Sequence, residues 1–226
     1  MTRIHLEMIV FHTFGWLFAV REFLEEVEKA LPEAERRERE ALARLARQQD
    51  WDESDYGAAR SEVDAKFEHW IPRVASYSLL TMLQMVIETQ LAATAKHLRE
   101  LHRFPLKPNE LRGDPVERSK VYFTKVASLP IGSDPGWQVL QDIGSLRDVI
   151  VHRRGAQGPD EKARKELRSI VARYPAGLII HGKPDDSEAE LELSLEQCKS
   201  FLRDVESFFE RLFDAAGLPR EVVFEQ

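Results

Sequence analysis

Apolar residues recur every three or four positions along most of the chain, which is the spacing of an amphipathic α-helix. This pattern predicts a first long helix from Ile4 to about Gln49, either continuous or broken near Pro32. After a turn region at 49–57, it predicts a second long helix at about 61–102, interrupted or bent around Pro72. The first half of the chain is therefore expected to be almost entirely helical.

Two Asp-Pro pairs mark helix starts in the second half, because an Asp carboxylate caps a helix and proline fits its first turn. Asp114-Pro115 predicts a helix at 115–128, and Asp134-Pro135 predicts one at 135–154 that ends near Gly155. A further charged helix is expected at 160–174. Ser194 begins the last helix, where Gln197 completes the spacing of a capping box.

Strand-like residues lie directly before that last helix, at Gly177–His181 and Glu190–Leu193, and a Gly-Lys-Pro-Asp-Asp turn follows the first of them. They predict a small β-hairpin. Repeats, low-complexity stretches and linkers are absent from the sequence, so we expect a single domain over 1–226. Within it, 1–50 is expected to form an N-terminal helical extension and 61–215 the core bundle. The fold class expected is all-α.

Composition limits the chemistry. The chain of 226 residues has a formal net charge of −7, which argues against wholesale coating of nucleic acid but allows a local basic patch. Its single cysteine, Cys198, excludes an internal disulfide and a Cys-rich zinc site. Cys198 also lies on an apolar helical stripe, so we expect a core thiol. We expect neither a cofactor nor a bound metal.

The apolar stretch Met8–Val20 is too short to span a bilayer, which takes about 20 residues. It also differs from a signal peptide, because Glu7 precedes it, acidic residues follow from Glu22, and no small-x-small cleavage site appears. We therefore expect a buried amphipathic helix in a cytoplasmic protein that does not enter a membrane.

Candidate chemistry lies in the helix predicted at 135–154, which contains the run Arg147-Asp148-Val149-Ile150-Val151-His152 followed by Arg153 and Arg154. Arginine binds phosphate oxygens through its forked guanidinium, and histidine transfers protons near neutral pH. Five residues along a helix turn a side chain by about 140°, so Arg147 and His152 cannot share a narrow stripe. They flank one pocket only if the helix end loosens or a second subunit completes the site. Alternatively, Arg147 is simply exposed and His152 is stabilised by the helix dipole.

This run resembles the signature of the HEPN superfamily, in which an Arg is followed by Asn, His or Asp and, four to six residues after the Arg, by a His near a helix end. Arg147, Asp148 and His152 fill these places. Long helices before the motif, a connector and an amphipathic closing helix agree with it, and the resemblance covers about 61–212. It implies a HEPN-like antiparallel helical bundle that assembles as a homodimer, with the two motif helices meeting at the twofold axis. It also implies that this dimer cleaves RNA without a metal.

The resemblance also implies roles for these residues. His152 would take the ribose 2′-OH proton or protonate the leaving 5′ oxygen, and Arg147 would hold the scissile phosphate. Asp148 would orient one of those groups. Arg153 and Arg154 would add local positive potential for RNA. By family analogy, the protein is expected to be a toxin or antiviral-defence ribonuclease, with an antitoxin or a defence complex as a further partner.

Two alternatives stay open. The first is a noncatalytic HEPN module that binds RNA, a nucleotide or a partner protein. The second is a helical protein in which Arg147 and His152 only stabilise a dimer interface. Glu88 bears on both, because it is the single charge in the stretch 74–93 and a buried carboxylate needs a partner. Arg147 is the partner expected, either to aim the guanidinium at the cleft or as a purely structural pair.

Two partial motifs carry less weight. The residues from Gly177 to Lys183 nearly match the phosphate-binding P-loop motif. However, Pro184 stands where the motif has Ser or Thr, and no helix is predicted to begin there. His97 and His102 lie five residues apart, whereas a zinc-binding pair on a helix is four apart. We expect a hairpin turn and two surface histidines.

Overall fold

The computed structural model describes residues 2–218, and the side chains of residues 8–218. Over these residues the chain forms helices and one small antiparallel sheet. The helices are α1 (Thr2–Gln48), α2 (Glu53–Ala65), α3 (Ile71–His102), α4 (Pro115–Val121), α5 (Gly136–Arg153), α6 (Glu161–Arg173) and α7 (Leu195–Ala215). The strands β1 (Leu178–His181) and β2 (Glu190–Leu193) lie between α6 and α7. The predicted all-α class, with a hairpin before the last helix, is confirmed.

Helix α1 runs unbroken through Pro32 and is about 70 Å long at 1.5 Å per residue. Of the two alternatives, the continuous helix is therefore the one formed. Its charged second half is held by ion pairs four residues apart, such as Arg36–Glu40 at 2.9 Å and Arg39–Glu35 at 2.7 Å. The turn after α1 is shorter than predicted, because the Asp52 carboxylate accepts the backbone N–H of Asp55 and starts α2.

Near Pro72, where an interruption or a bend is predicted, a single wide turn of π-helix at Lys66–Trp70 interrupts the α-helix and joins α2 to α3. Proline has no N–H, and its ring crowds the carbonyl four residues earlier, so the regular series of α-helical hydrogen bonds is interrupted here. The N–H of Ile71 instead reaches back five residues to the carbonyl of Lys66. The helix predicted at 115–128 likewise ends in a π turn, Tyr122–Val126, after α4.

Helices α3 and α7 form the centre of the bundle, and α1 and α5 each pack against both of them on opposite flanks. The largest side chains with essentially no exposed surface are aromatic: Trp137, Tyr122, Phe123, Phe201, Phe208, Phe209 and Phe213. The indole of Trp137 meets the ring of Phe208 edge-on, with 4.6 Å between centroids. These contacts join α5 to α7 and fix the position of the helix that carries the motif. None of the helices in residues 2–218 combines the length and apolar composition needed to cross a membrane.

The ends of α5 are set by its neighbours. At the start, the Asp134 carboxylate accepts the N–H of Gly136 at 2.7 Å and a hydrogen bond from Arg211 of α7 at 2.9 Å. At the end, Arg154 adopts a left-handed conformation with φ 55° and Gly155 follows with φ 88°. A Cβ at position 155 would lie 2.2 Å from the Tyr77 hydroxyl oxygen, so only glycine fits there.

The hairpin is attached to this end of α5. Leu178 pairs with Leu193 in an antiparallel register, and both side chains are buried. The N–H of Leu191 donates to the carbonyl of Gly155 at 2.8 Å, which ties β2 to the loop after the motif. The Ser194 hydroxyl caps α7, but the N–H of Ser194 donates to the Gly177 carbonyl, so the reciprocal half of the predicted capping box is replaced by a contact to the hairpin.

Candidate functional site

The last turns of α5 present the predicted motif at the surface. Arg147 Nη1 donates to Asp148 Oδ1 at 2.9 Å, and His152 Nε2 lies 3.8 Å from the same oxygen. The side chains of the three residues are 36%, 65% and 66% exposed, in chain order. The structure therefore brings Arg147, Asp148 and His152 together in one open set.

The helix does not loosen to achieve this, because α5 remains regular to Arg153. Loosening of the helix end, one of the two conditions expected for a shared pocket, is therefore not met: Arg147 lines one pocket, His152 lines the next, and Asp148 lines both. Asp148 and His152 are four residues apart and share a face, while the long side chain of Arg147 reaches sideways to its neighbour. One carboxylate thus bridges two groups that point about 140° apart on the helix.

This arrangement suits general acid–base chemistry on a phosphate. The separation of 3.8 Å is longer than a hydrogen bond, so the imidazole of His152 can rotate toward Asp148 or toward a substrate. The guanidinium of Arg147 uses one N–H on Asp148 and keeps others for phosphate oxygens. Asp148 thereby faces both partners, whereas the sequence predicted that it would orient one of them.

Glu88 takes a different partner from the one expected. Its Oε1 accepts a hydrogen bond from Gln84 Nε2 at 2.8 Å, one turn earlier on α3. Within residues 8–218, Glu88 forms no ion pair, and the predicted pair with Arg147 is wrong. The reason is exposure: Glu88 is only half-buried, because the flank of α3 that carries it opens on a cleft.

That cleft has a volume of about 580 Å³ and lies between α3, α4, α5 and α6. Both Glu88 and Arg147 line it. Its charges are mostly acidic, with the carboxylates of Glu88, Asp114, Glu117, Asp142, Asp148 and Glu166 against the guanidiniums of Arg147 and Arg173. This excess of negative charge repels a phosphate chain, so the interior of the cleft is a poor path for RNA.

A buried cluster closes the far end of the cleft. Asp142 is only 2% exposed, and its carboxylate accepts hydrogen bonds of 2.9 Å from each of Gln138 Nε2, Arg173 Nε and the Tyr174 hydroxyl. Burial, together with the nearby Asp142 charge, raises the pKa of the Tyr174 phenol. Sequence reasoning missed this cluster, although an aspartate between Leu140 and Ile143 on the apolar stripe of a helix signals a buried partner.

The two arginines after the motif have different roles. Arg153 Nη1 donates to the carbonyl of Gln157 at 2.8 Å, so this side chain holds the loop that follows α5. Arg154 offers its carbonyl to Arg73 Nη2 at 3.1 Å and leaves its own side chain exposed. Of the two, Arg154 is the residue whose charge is available to a ligand.

Two arginines of α6 join Arg153 around the same loop. Arg164 Nη1 donates to the carbonyl of Gly158 at 3.1 Å, and Arg168 Nη2 donates to Gln157 Oε1 at 2.9 Å. In the described part of the chain, none of the three forms an ion pair with a carboxylate. Their positive charge is therefore not neutralised locally, and the loop beside the motif is the basic side of the site. The sequence signal was the run of Lys and Arg at 162–168, which we interpreted only as a charged helix.

The remaining candidates have structural explanations. Burial raises the pKa of the Cys198 thiol to about 12, and its Sγ lies 3.6 Å from the Ser76 carbonyl, as expected for a core thiol. Gly182 and Lys183 lie in the hairpin turn, where no helix begins. Residues 2–218 contain no group of three or more His, Cys, Asp or Glu side chains that is placed to hold a metal ion.

No protein-family model, curated protein or solved structure matches this chain.

Proposed function

We propose that this protein is a metal-independent endoribonuclease of the HEPN type, active as a homodimer, with Arg147, Asp148 and His152 as its catalytic residues. One observation carries the proposal: the Asp148 carboxylate lies 2.9 Å from Arg147 Nη1 and 3.8 Å from His152 Nε2, in an exposed set. A phosphate-binding cation and a proton-transfer group beside one carboxylate are two of the groups that cleavage of RNA through its own 2′-hydroxyl requires.

In this reaction the ribose 2′-OH attacks the adjacent phosphorus as His152 removes its proton. The new O–P bond replaces the bond to the 5′ oxygen of the next nucleotide, which leaves as a hydroxyl after taking a proton. Arg147 offsets the charge that develops on the nonbridging oxygens. The products are a 2′,3′-cyclic phosphate and a 5′-hydroxyl.

The dimer follows from the number of proton-transfer groups. The base and the acid act on opposite sides of the phosphorus, and one His152 reaches only one side. A second copy of the motif, related by a twofold axis, supplies the other histidine.

The surface beside the motif supports such a dimer. Helix α3 runs antiparallel to α5, so that Gln84 meets Gly144 and Tyr77 meets Gly155. Along these neighbouring helices, Val74, Met85 and Val151 are 66%, 56% and 46% exposed. A twofold contact through these apolar side chains would bury them and bring two motifs together.

The charges around the motif favour one path for the RNA. The acidic cleft lies on one side of Arg147, and the loop held by Arg153, Arg164 and Arg168 lies on the other. The strand would run along the arginine side, where Arg154 adds an exposed charge.

The test is cleavage of a mixed tRNA and mRNA substrate in EDTA. Wild type should cleave it, and His152→Ala should lower the rate by about 10²-fold or more while remaining folded and dimeric. The matched control is His181→Ala on the hairpin, because His181 Nε2 also contacts a carboxylate, that of Glu192, and is similarly exposed. Equal losses in both variants, or none in either, would contradict the proposal.

The biological setting we propose is that of a cytoplasmic toxin or antiviral-defence ribonuclease, restrained by an antitoxin or a defence complex. This step is by family analogy. The acidic cleft supports a second candidate function, that of a noncatalytic module. In this function the carboxylates of the cleft bind Lys or Arg side chains of a partner protein. Glu88→Gln combined with Glu166→Gln should weaken that binding in a pull-down while leaving RNA cleavage unchanged.

A further inference from the structure

The outer face of α1 is apolar and uncovered. Met8, Phe11, Trp16, Phe18 and Phe23 are 43%, 64%, 53%, 57% and 46% exposed. The opposite face of the helix packs into the core through Val10, Leu17, Val20 and Leu24, each of which is almost fully buried. The buried helix expected from the sequence is therefore confirmed for one face only.

The five exposed side chains together present on the order of 500 Å² of apolar surface, given the size of aromatic side chains. An isolated exposed hydrophobic residue needs no explanation, but a contiguous patch of this size marks an interaction site. It is large enough to form the core of a standard protein interface, which buries about 800 Å² on each partner.

The centre of this face is formed by small, exposed residues. A Cβ at position 15 would have no atom within 4 Å, and Ala19 lies one turn further on the same face. Gly15 and Ala19 are flanked by the rings of Phe11, Trp16 and Phe18. Small residues between large ones let a second helix approach closely.

The order of residues along the face is a palindrome centred on Leu17. Phe11 corresponds to Phe23, His12 to Glu22, Gly15 to Ala19 and Trp16 to Phe18. When two such helices pack antiparallel about an axis at the level of Leu17, Gly15 of one copy meets Ala19 of the other at the centre of the contact, and His12 lies level with Glu22, within reach of its carboxylate. The aromatic rings line the two rims of the contact. Parallel packing in register would instead place Glu22 against Glu22, which is unfavourable.

We propose that a second copy of this chain packs its α1 antiparallel on this face, with the twofold axis passing near Leu17. An isologous contact of this kind uses the same patch on both copies, and His12 and Glu22, at equal distances from Leu17, make this patch complementary to itself in charge. A membrane surface fits less well, because the exposed Glu22 and Glu26 lie at the end of this face, where helices that bind lipid carry Lys and Arg.

This interface is separate from the catalytic motif. Helices α1 and α5 lie on opposite flanks of the α3–α7 pair, so a contact through α1 leaves the motif uncovered. If the motif face also pairs, and the two twofold axes meet at right angles, the protein is a tetramer. If it does not, the protein is a dimer through α1.

The first experiment is mass measurement by size-exclusion chromatography with light scattering on wild type, Gly15→Leu, and Phe11→Glu combined with Phe18→Glu. Leucine has room at position 15 and is the better helix former, so the subunit folds while close approach is blocked. Both variants should halve the mass of the assembly.

Gly57→Leu is the matched control, because Gly57 is also an exposed helical glycine with no atom within 4 Å of its Cβ position. This variant should leave the mass unchanged. Wild-type mass in both α1 variants would overturn the proposal.

The second experiment tests the direction of packing by oxidative crosslinking. His12→Cys combined with Glu22→Cys should give a covalent dimer, while each single variant should not, because position 12 of one copy faces position 22 of the other. The native Cys198 is buried and does not interfere. Crosslinking of either single variant, or none in the double variant, would contradict the antiparallel arrangement.

Discussion

Helix α5 carries two aspartates six residues apart that have opposite surroundings. Asp142 is 2% exposed and accepts hydrogen bonds from Gln138, Arg173 and Tyr174. The side chain of Asp148 is 65% exposed, with Arg147 at 2.9 Å and His152 at 3.8 Å. Both carboxylates have an arginine partner, so an ion pair alone does not distinguish them.

The difference lies in what each carboxylate can still do. The oxygens of Asp142 already accept hydrogen bonds from neighbouring side chains, and its ion pair with Arg173 joins α5 to α6. Asp148 faces solvent and touches two groups that bind phosphate or move protons. A buried, fully partnered charge indicates structure, whereas an exposed, partly partnered one is available to a substrate.

The largest effect is expected on stability at Asp142. Asp142→Ala leaves the Arg173 guanidinium and the Tyr174 hydroxyl without their shared acceptor, which should lower the free energy of unfolding by about 3–5 kcal/mol. Asp148→Ala should change it by less than about 0.5 kcal/mol, because the pair is at the surface. Urea denaturation of both variants measures the contrast. Similar losses at both positions would show that burial does not separate them.

The next effect is expected on activity, in the reverse order. Asp148→Asn keeps the shape of the side chain but removes the charge that orients Arg147 and His152, so RNA cleavage should fall by about 10²-fold. A variant of Asp142 that remains folded, such as Asp142→Asn at low temperature, should retain most of its activity. Initial rates in EDTA give the comparison, and full activity in Asp148→Asn would remove Asp148 from the catalytic set.

Asp134, a third aspartate at the start of α5, should make the stability of the protein depend on pH. Hydrogen bonds from Arg211 and from the Gly136 N–H hold the pKa of Asp134 below its usual value. A lowered pKa in the folded state stabilises the protein above the pKa of an unfolded aspartate, about 4, and this contribution is lost as the pH falls through the folded value. Asp134→Asn should therefore cost about 1–2 kcal/mol at pH 7 and progressively less in acid. Thermal denaturation from pH 7 to pH 3 tests the sign, and a loss that grows in acid would contradict it.

The smallest effects are expected at the two arginines after the motif. Arg153→Ala should destabilise the protein by about 1 kcal/mol, because the carbonyl of Gln157 loses its donor. Arg154→Ala should leave stability unchanged but weaken RNA binding and reduce its salt dependence by about one phosphate contact. Binding titrations at several salt concentrations distinguish the two. Equal effects of both substitutions on binding would show that Arg153 also contacts RNA.

The elements of the fold that are visible in the sequence are those with local causes. Asp114 and Asp134 each accept backbone N–H groups at a helix start, as the Asp-Pro pairs predict. The hairpin and the irregularity before Pro72 follow from turn residues and from the missing proline N–H. The position of the motif at the end of α5 could be predicted in the same way, because Gly155 stops the helix.

The partners across the bundle could not be predicted, because they depend on how helices pack. The sequence predicts that Glu88 pairs with Arg147. In the structure, the flank of α3 that carries Glu88 opens on a cleft, and the hydrogen-bond donor to Glu88 is Gln84. Asp142 and Arg173 are 31 residues apart in sequence and meet only once α5 and α6 are docked. The apolar pattern of α1 predicts that its residues avoid water, but it does not show that Phe11 and Phe18 lie on the uncovered face.

The most direct test of the central claim is the chemistry of the ends that the protein leaves on RNA. After the cleavage position has been mapped in EDTA, the same strand would be supplied with a single 2′-deoxy nucleotide there. If His152 activates the 2′-hydroxyl, wild type should leave 2′,3′-cyclic phosphate and 5′-hydroxyl ends on the RNA and should not cut the substituted strand. Cutting of the substituted strand, or ends bearing a 5′-phosphate, would contradict the account.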